Sequence, residues 1–298
     1  MLFIVLTQLL FQYCIIEHQL QSVGLHPEIH GLNFLLVVLA SVLIAGSGNI
    51  INDYFDFNID LINKPHKLII HKFISRRWII FWHLFLSSIG IIISFYVAAK
   101  IHFIWLGIIN TICVLLLFIY SASLKKKFLI GNIVISLLTA WVIVVLLLPE
   151  YFAFNKYNSN NVETFYKIIR LGILYASFSF IISLIREVAK DMEDIEGDRQ
   201  HGCKTLPIKM GLNAAKVFLT VWLVVIIGLL VIAQIYVIRF GWWESILYAL
   251  IFIIIPLISI QKKLLKALSA NDFNILSSKI KWVMLFGILS IIFFAFYQ

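Results

Sequence analysis

Charge is the scarcest ingredient of this 298-residue chain. Asp, Glu, Lys and Arg together make up 13% of it, about half the roughly 25% usual in a soluble domain. Hydrophobic residues reach 62% and the mean hydropathy is +0.99, more apolar surface than a water-soluble fold of this size can hide. A soluble enzyme is therefore excluded. Disorder is excluded too, because it requires low hydrophobicity and high charge. Polar–apolar alternation is also missing: the apolar runs are continuous, which argues against an outer-membrane barrel. Cysteine is nearly absent, and Cys14, Cys113 and Cys203 have neither a metal-ligand spacing nor an obvious disulfide partner. Segment 150–166 is polar, with Asn155, Asn158, Asn160 and Asn161, yet holds no Asn-x-Ser/Thr sequon. The fold class left standing is an all-α, polytopic membrane protein.

A helix needs about 20 mostly apolar residues to cross a hydrocarbon core about 30 Å thick. Nine stretches qualify, near 2–16, 34–51, 78–98, 102–120, 128–148, 168–186, 216–238, 244–260 and 281–297. The first lacks the basic flank of a signal peptide and reads as a retained helix. The basic residues test this count independently. Nineteen of the 24 Lys and Arg fall in the loops after the second, fourth, sixth and eighth stretches. The positive-inside rule then predicts a cytoplasmic N-terminus and an external C-terminus. A formal net charge of +9 reads as cytoplasmic loops facing anionic lipid rather than as a nucleic-acid surface.

The acidic residues are spread even less evenly. Nine of the 15 lie in two segments, Asn49–Asp60 and Glu187–Asp198. Both contain Asp-x-x-Asp-x-x-x-Asp. Asp53, Asp56 and Asp60 each have a counterpart 138 residues later in Asp191, Asp194 and Asp198, which predicts an internal pseudo-repeat. On a helix turning about 100° per residue, three acids spaced this way share an arc of about 60°. They repel one another and sit at the helix end that the macrodipole makes unfavourable for anions. Such an arrangement calls for a cation. Oxygen ligands without His or Cys point to Mg²⁺ before Ca²⁺, held with the help of substrate phosphate. Lys67, Lys190 and Lys204 adjoin these motifs and Lys125 sits in a third basic loop, after Tyr120; all four are candidate phosphate contacts. Arg186, one turn before the second motif, is another.

These residues resemble the UbiA superfamily of intramembrane prenyltransferases. Its first signature, N-D-x-x-D-x-x-x-D, is matched by Asn52-Asp53-Tyr-Phe-Asp56-Phe-Asn-Ile-Asp60. Its second aspartate motif is matched by Asp191, Asp194 and Asp198, and its Tyr-to-Lys pattern after the fourth helix by Tyr120 and Lys125. The resemblance covers nearly the whole chain and implies a single domain, 1–298, of nine helices. It implies Asp53, Asp56, Asp191 and Asp194 as catalytic residues. Asn52, Asp56, Asp60, Asp191, Asp194 and Asp198 become the Mg²⁺ set. Lys67, Tyr120, Lys125, Arg186, Lys190 and Lys204 become diphosphate contacts. The implied chemistry is loss of diphosphate from a prenyl diphosphate, leaving an allylic cation that an acceptor captures under a lid that excludes water. Segments 62–77 and 199–209 are the candidate lids.

Within the superfamily, Gly48–Pro65 and Arg186–Asp198 look closest to the geranylgeranylglyceryl phosphate geranylgeranyltransferases. That implies geranylgeranyl diphosphate as donor and the free hydroxyl of a prenylglyceryl phosphate as acceptor. Two departures stand out: His66-Lys67-Leu-Ile-Ile-His71-Lys72 replaces the basic-Pro pair and Ser-Gly of many members, and no basic-Pro pair precedes the first helix. An aromatic acceptor, such as 4-hydroxybenzoate, dihydroxynaphthoate or a haem or chlorophyll precursor, is the enzymatic alternative. A cation transporter using both triads is the non-enzymatic one, and would need ligands nearer the bilayer midplane. The expected partners are a prenyl diphosphate, its acceptor and membrane lipid, with no nucleic acid and no obligate protein partner. The expected location is the plasma or inner membrane, with the site on the cytoplasmic side.

Overall fold

The structure is a computed structural model that describes residues 1–63, 75–154 and 161–297. Among the described residues it contains helices and no strands, and nine helices are long and apolar enough to cross a membrane. They are α1 Leu2–Gln21, α2 Gly31–Asn63, α3 Arg76–Lys100, α4 Trp105–Ala122, α5 Ile130–Phe152 and α6 Val162–Glu193, then, after two short helices, α9 Leu212–Ile238, α10 Trp243–Lys266 and α11 Ala270–Ala295. The short helices are α7 Ile195–Gln200 and α8 Leu206–Met210. The protein is an integral, multi-pass membrane protein, as the apolar runs predict.

Two helices carry local irregularities with identifiable causes. In α10, Pro256 cannot donate to the carbonyl one turn back, and the turn before it, Leu250–Ile254, widens to a π-helical one. In α1 a π-helical stretch covers Gln12–Glu17. There the buried Gln12 donates from Nε2 to the Ile29 carbonyl at 2.7 Å, tying α1 to the segment leading into α2.

The chain divides into two compact units, Met1–Lys125 with Ala140–Tyr175, and Lys126–Thr139 with Ala176–Gln298, so that α5 and α6 contribute to both. In the first unit α2 packs against α3 and α4. Small residues make those crossings tight. A Cβ on Gly90 of α3 would stand 2.8 Å from Ile44 Cγ1, and one on Gly48 would stand 2.9 Å from the Leu117 methyls. Polar side chains add a second layer of glue. Asn110 of α4 donates to Ser94 of α3 at 2.9 Å and accepts from Trp141 Nε1 of α5 at 3.0 Å. His83 Nδ1 lies 3.0 Å from the Ser47 carbonyl. These bonds give Asn110 and His83 the interhelical role that buried polar residues commonly play in lipid.

The second unit has one continuous apolar core. Ile185, Val188, Ala189 and Met192 of α6 meet Leu219 and Leu223 of α9, Leu257 and Leu264 of α10, and Phe273 and Leu276 of α11. Their spacing at three and four residues puts them on one face of α6. Arg186, Glu187, Lys190 and Asp191 are interleaved on the remaining faces. The packing of this core thus fixes which way the second aspartate motif is turned.

Candidate functional site

In the first unit the helix does not stop where the apolar run does. The span expected over 34–51 continues as α2 to Asn63, so Asn52, Asp53, Asp56 and Asp60 all ride on one uninterrupted helix. Asn52 and Asp56, four residues apart, are neighbours on its surface, and Asn52 Nδ2 donates to Asp56 Oδ2 at 2.6 Å. Lys125 approaches from the turn after α4. It forms an ion pair with Asp56, and its ammonium lies 3.4 Å from Asn52 Oδ1. The pair is largely enclosed, with side chains only 10% and 19% exposed for Lys125 and Asp56. Asp53 is more exposed, while Asp60 and Tyr120 are half-buried. Lys67 lies outside the described residues, as does most of the expected lid 62–77.

The second motif is built differently. Its acids do not share one helix: α6 ends at Glu193, Asp194 bends the backbone at φ −95° and ψ 12°, and Asp198 sits on α7. The shared arc predicted for Asp191, Asp194 and Asp198 is thus interrupted by this bend. The reason is local chemistry. Four acids within Asp191–Glu196 accumulate at the anion-unfavourable end of α6, and Asp194 stands at the start of α7 without a side-chain capping bond to it. Glu187 accepts from Lys190 Nζ at 2.8 Å and from Arg186 Nη1 at 3.0 Å. Arg186 Nε is buried without a hydrogen-bond partner among the described residues. Asp191 Oδ2 accepts from Asn132 Nδ2 at 2.8 Å, and Glu193 from Asn274 Nδ2 at 2.6 Å.

The segment 199–209, expected as a lid, is ordered. Cys203 N donates to the Asp198 carbonyl at 2.9 Å, and Lys204 N donates to the Lys126 carbonyl at 2.7 Å. Gly202 turns the chain at a φ of +69° that only glycine adopts without strain. Lys204 is thereby fixed by its backbone, with an exposed side chain.

The structure thus joins Asn52, Asp56 and Lys125 within one unit, and Arg186, Glu187 and Lys190 within the other. Asn132 and Asn274 bond acids of the second segment yet are absent from the sequence-based set. The available signal was weak: Asn132 is a polar residue inside an apolar stretch, which marks a functional hypothesis without naming a partner. The donor chemistry fits a hard divalent cation, because carboxylate and amide oxygens make up the motifs. Among the described residues, no three His, Cys, Asp or Glu side chains form a ready-made metal cage.

Known proteins resemble this chain in both sequence and fold. The sequence model of the UbiA prenyltransferase family matches residues 22–278. Digeranylgeranylglyceryl phosphate synthase from Methanosphaera stadtmanae is 32% identical over 188 residues, 62% of this chain; the chain spans only 61% of that relative's length. A solved structure from work on digeranylgeranylglyceryl phosphate synthase in membranes superposes with a TM-score of 0.57 at 26% identity, covering 98% of this chain and 97% of its own. A UbiA homologue from Archaeoglobus fulgidus, bound to DMAPP and Mg²⁺, shares the fold with a TM-score of 0.54 at 16% identity, covering 97% of this chain and 94% of its own. With the family match running through both units and both aspartate motifs, this chain belongs to the UbiA prenyltransferase family.

Proposed function

We propose that this protein transfers a geranylgeranyl group from its diphosphate to the free hydroxyl of a prenylglyceryl phosphate. It works with Mg²⁺ at the cytoplasmic face of the plasma or inner membrane, as one domain over 1–298 to which both units contribute. The observation that carries this reading is an acid-rich segment that recurs at an offset of 138 residues, with cations held against an acid of each copy, though not against matching acids. Lys125 serves Asp56 in one copy, while Lys190 and Arg186 serve Glu187 in the other. Acids paired in this way can take up a metal–diphosphate while the lysines and arginine turn to its oxygens. The acceptor choice is supported by relatives named digeranylgeranylglyceryl phosphate synthase. The Mg²⁺ and prenyl diphosphate are supported by the homologue that binds DMAPP and Mg²⁺.

Asn52, Asp56, Asp60, Asp191, Asp194 and Asp198 would hold the metal. When bound, Mg²⁺ supplies charge neutralisation for the diphosphate oxygens. The chain's own cations do the rest of the electrostatic work. As the bond between the prenyl C1 and the diphosphate oxygen breaks, Lys125, Lys190 and Arg186 stabilise the negative charge that builds on the leaving group. The acceptor oxygen then bonds to C1 and releases its proton, giving an ether and free diphosphate. Tyr120 and Lys204 complete the proposed diphosphate contacts, together with Lys67. The test is a competition assay on purified protein with labelled geranylgeranyl diphosphate. A prenylglyceryl phosphate should be alkylated in preference to 4-hydroxybenzoate and dihydroxynaphthoate, and the opposite preference would overturn the acceptor.

A further inference from the structure

Two neutral amides grip the second aspartate motif from distant parts of the chain. Asn132 lies in the first turn of α5, is only 8% exposed, and donates to Asp191. Asn274 lies in the first turns of α11 and donates to Glu193. The two gripped carboxylates flank Met192, which is 2% exposed in the apolar core. Immediately after them the backbone bends at Asp194, and Asp198 N donates back to the Asp194 carbonyl at 3.1 Å. The last rigid part of α6 is therefore held on three sides, by the core beneath Met192 and by one amide on each neighbouring acid. The chain beyond the bend, with Asp198 on it, inherits its direction from that clamp.

The chemistry of the donors matters as much as their position. An ionised carboxylate only accepts hydrogen bonds, so each asparagine must present its amide nitrogen. A neutral donor orients the acid without cancelling its charge, whereas the lysine on Asp56 neutralises its partner. Asp191 is thus held in a fixed direction by a partner that brings no charge of its own. Partners of this kind behind a metal ligand usually control affinity by about 10–100-fold.

We infer that Asn132 and Asn274 are positioning residues that hold Asp191 and Glu193 on either side of Met192, and thereby aim the second aspartate motif at a divalent cation and diphosphate. This rests on the reading of that motif as the prenyltransferase's metal and diphosphate site. Neither residue touches the reacting atoms, so each acts through the acid it holds.

The experiment measures Mn²⁺ binding to the purified full-length protein by electron paramagnetic resonance, with inorganic diphosphate present and no turnover. The Mg²⁺ concentration giving half-maximal transfer is measured in parallel. Asn132→Ala should weaken Mn²⁺ binding and raise the Mg²⁺ requirement by about 10-fold, while Asn132→Gln, which keeps the donor, should recover most of the loss. Asn274→Ala should act in the same direction. Asn132→Ser is the milder change should Asn132→Ala fail to fold. Asn132→Ala placed on Asp191→Asn should add nothing further, because the acid through which it acts has lost its charge. Unchanged Mn²⁺ affinity and Mg²⁺ requirement in folded Asn132 and Asn274 variants, with Asp191→Asn defective, would overturn the positioning role alone. Full Mn²⁺ binding by Asp191→Asn would overturn the metal-site reading and the inference with it.

Discussion

Asp56 and Lys125 show how much a pair of side chains can determine and how much of it the sequence exposes. Both stand in recognisable places, Asp56 in the middle of a three-acid repeat and Lys125 five residues after Tyr120. Their ion pair needs only that α2 and the turn after α4 lie side by side. Removing the lysine leaves a mostly enclosed carboxylate without its cation and takes one positive charge from the diphosphate. Lys125→Ala should therefore lower the transfer rate by about 100-fold or more, the scale associated with losing one preorganised stabilising group. Lys125→Arg, which keeps the charge but spreads it over a planar fork, should fall in between. Steady-state rates at saturating Mg²⁺ check both, and near-normal turnover by Lys125→Ala would remove this residue from the site. Asn132 is the counter-example. It bonds an acid 59 residues away, and nothing in its neighbourhood announces that acid, since one Asn in an apolar stretch is equally suited to joining two helices, as Asn110 does. Local motifs are legible because they repeat; a single long-range partner is not.

At the level of helices, the apolar runs predict nine spans, and nine long apolar helices stand among the described residues. Hydropathy misplaces the ends. It marks where lipid contact ceases, whereas α2 continues for three more turns because its backbone bonds and its buried Ile59 still support it. It also misses the bend at Asp194, where α6 ends through a local excess of like charge rather than through a change in hydropathy. The packing of α2 on α3 depends on something that hydropathy does not record, the absence of a side chain at Gly90. Ile44 Cγ1 stands 2.8 Å from where a Cβ would be, and the Ala40 carbonyl stands 3.4 Å away. The first is a branched, buried atom and the second is backbone, so neither can give way freely. Gly90→Leu should destabilise the protein by roughly 1–3 kcal/mol, the usual cost of overfilling a packed site. Thermal unfolding in detergent should show a lower midpoint, and the Mg²⁺ requirement of the surviving folded fraction should stay as it was. An unchanged midpoint would mean that α2 and α3 can separate without penalty.

For the molecule as a whole, the proposed orientation comes from charge asymmetry alone, which makes it the feature most open to direct test. Every loop that follows an even-numbered span is basic. Together these loops carry 19 of the 24 Lys and Arg, and both aspartate motifs open onto them. An inverted molecule would carry those charges, and the diphosphate site with them, to the side where lipid-surface attraction and donor supply are both absent. Single-cysteine labelling separates the two orientations. Two of the three native thiols, Cys113 and Cys203, are buried and the third, Cys14, is half-buried, so serine replacement of all three gives a silent background. Leu268, 78% exposed between α10 and α11, belongs to a basic loop. Arg239 is exposed at the end of α9, on the opposite side by the same count. In sealed right-side-out vesicles, Arg239→Cys should react with a membrane-impermeant maleimide, and Leu268→Cys should react only after permeabilisation. The reverse pattern would place both aspartate motifs outside. Prenyl transfer would then need a donor delivered from the external face, and the cytoplasmic location proposed for the reaction would fail while the chemistry of the site stood.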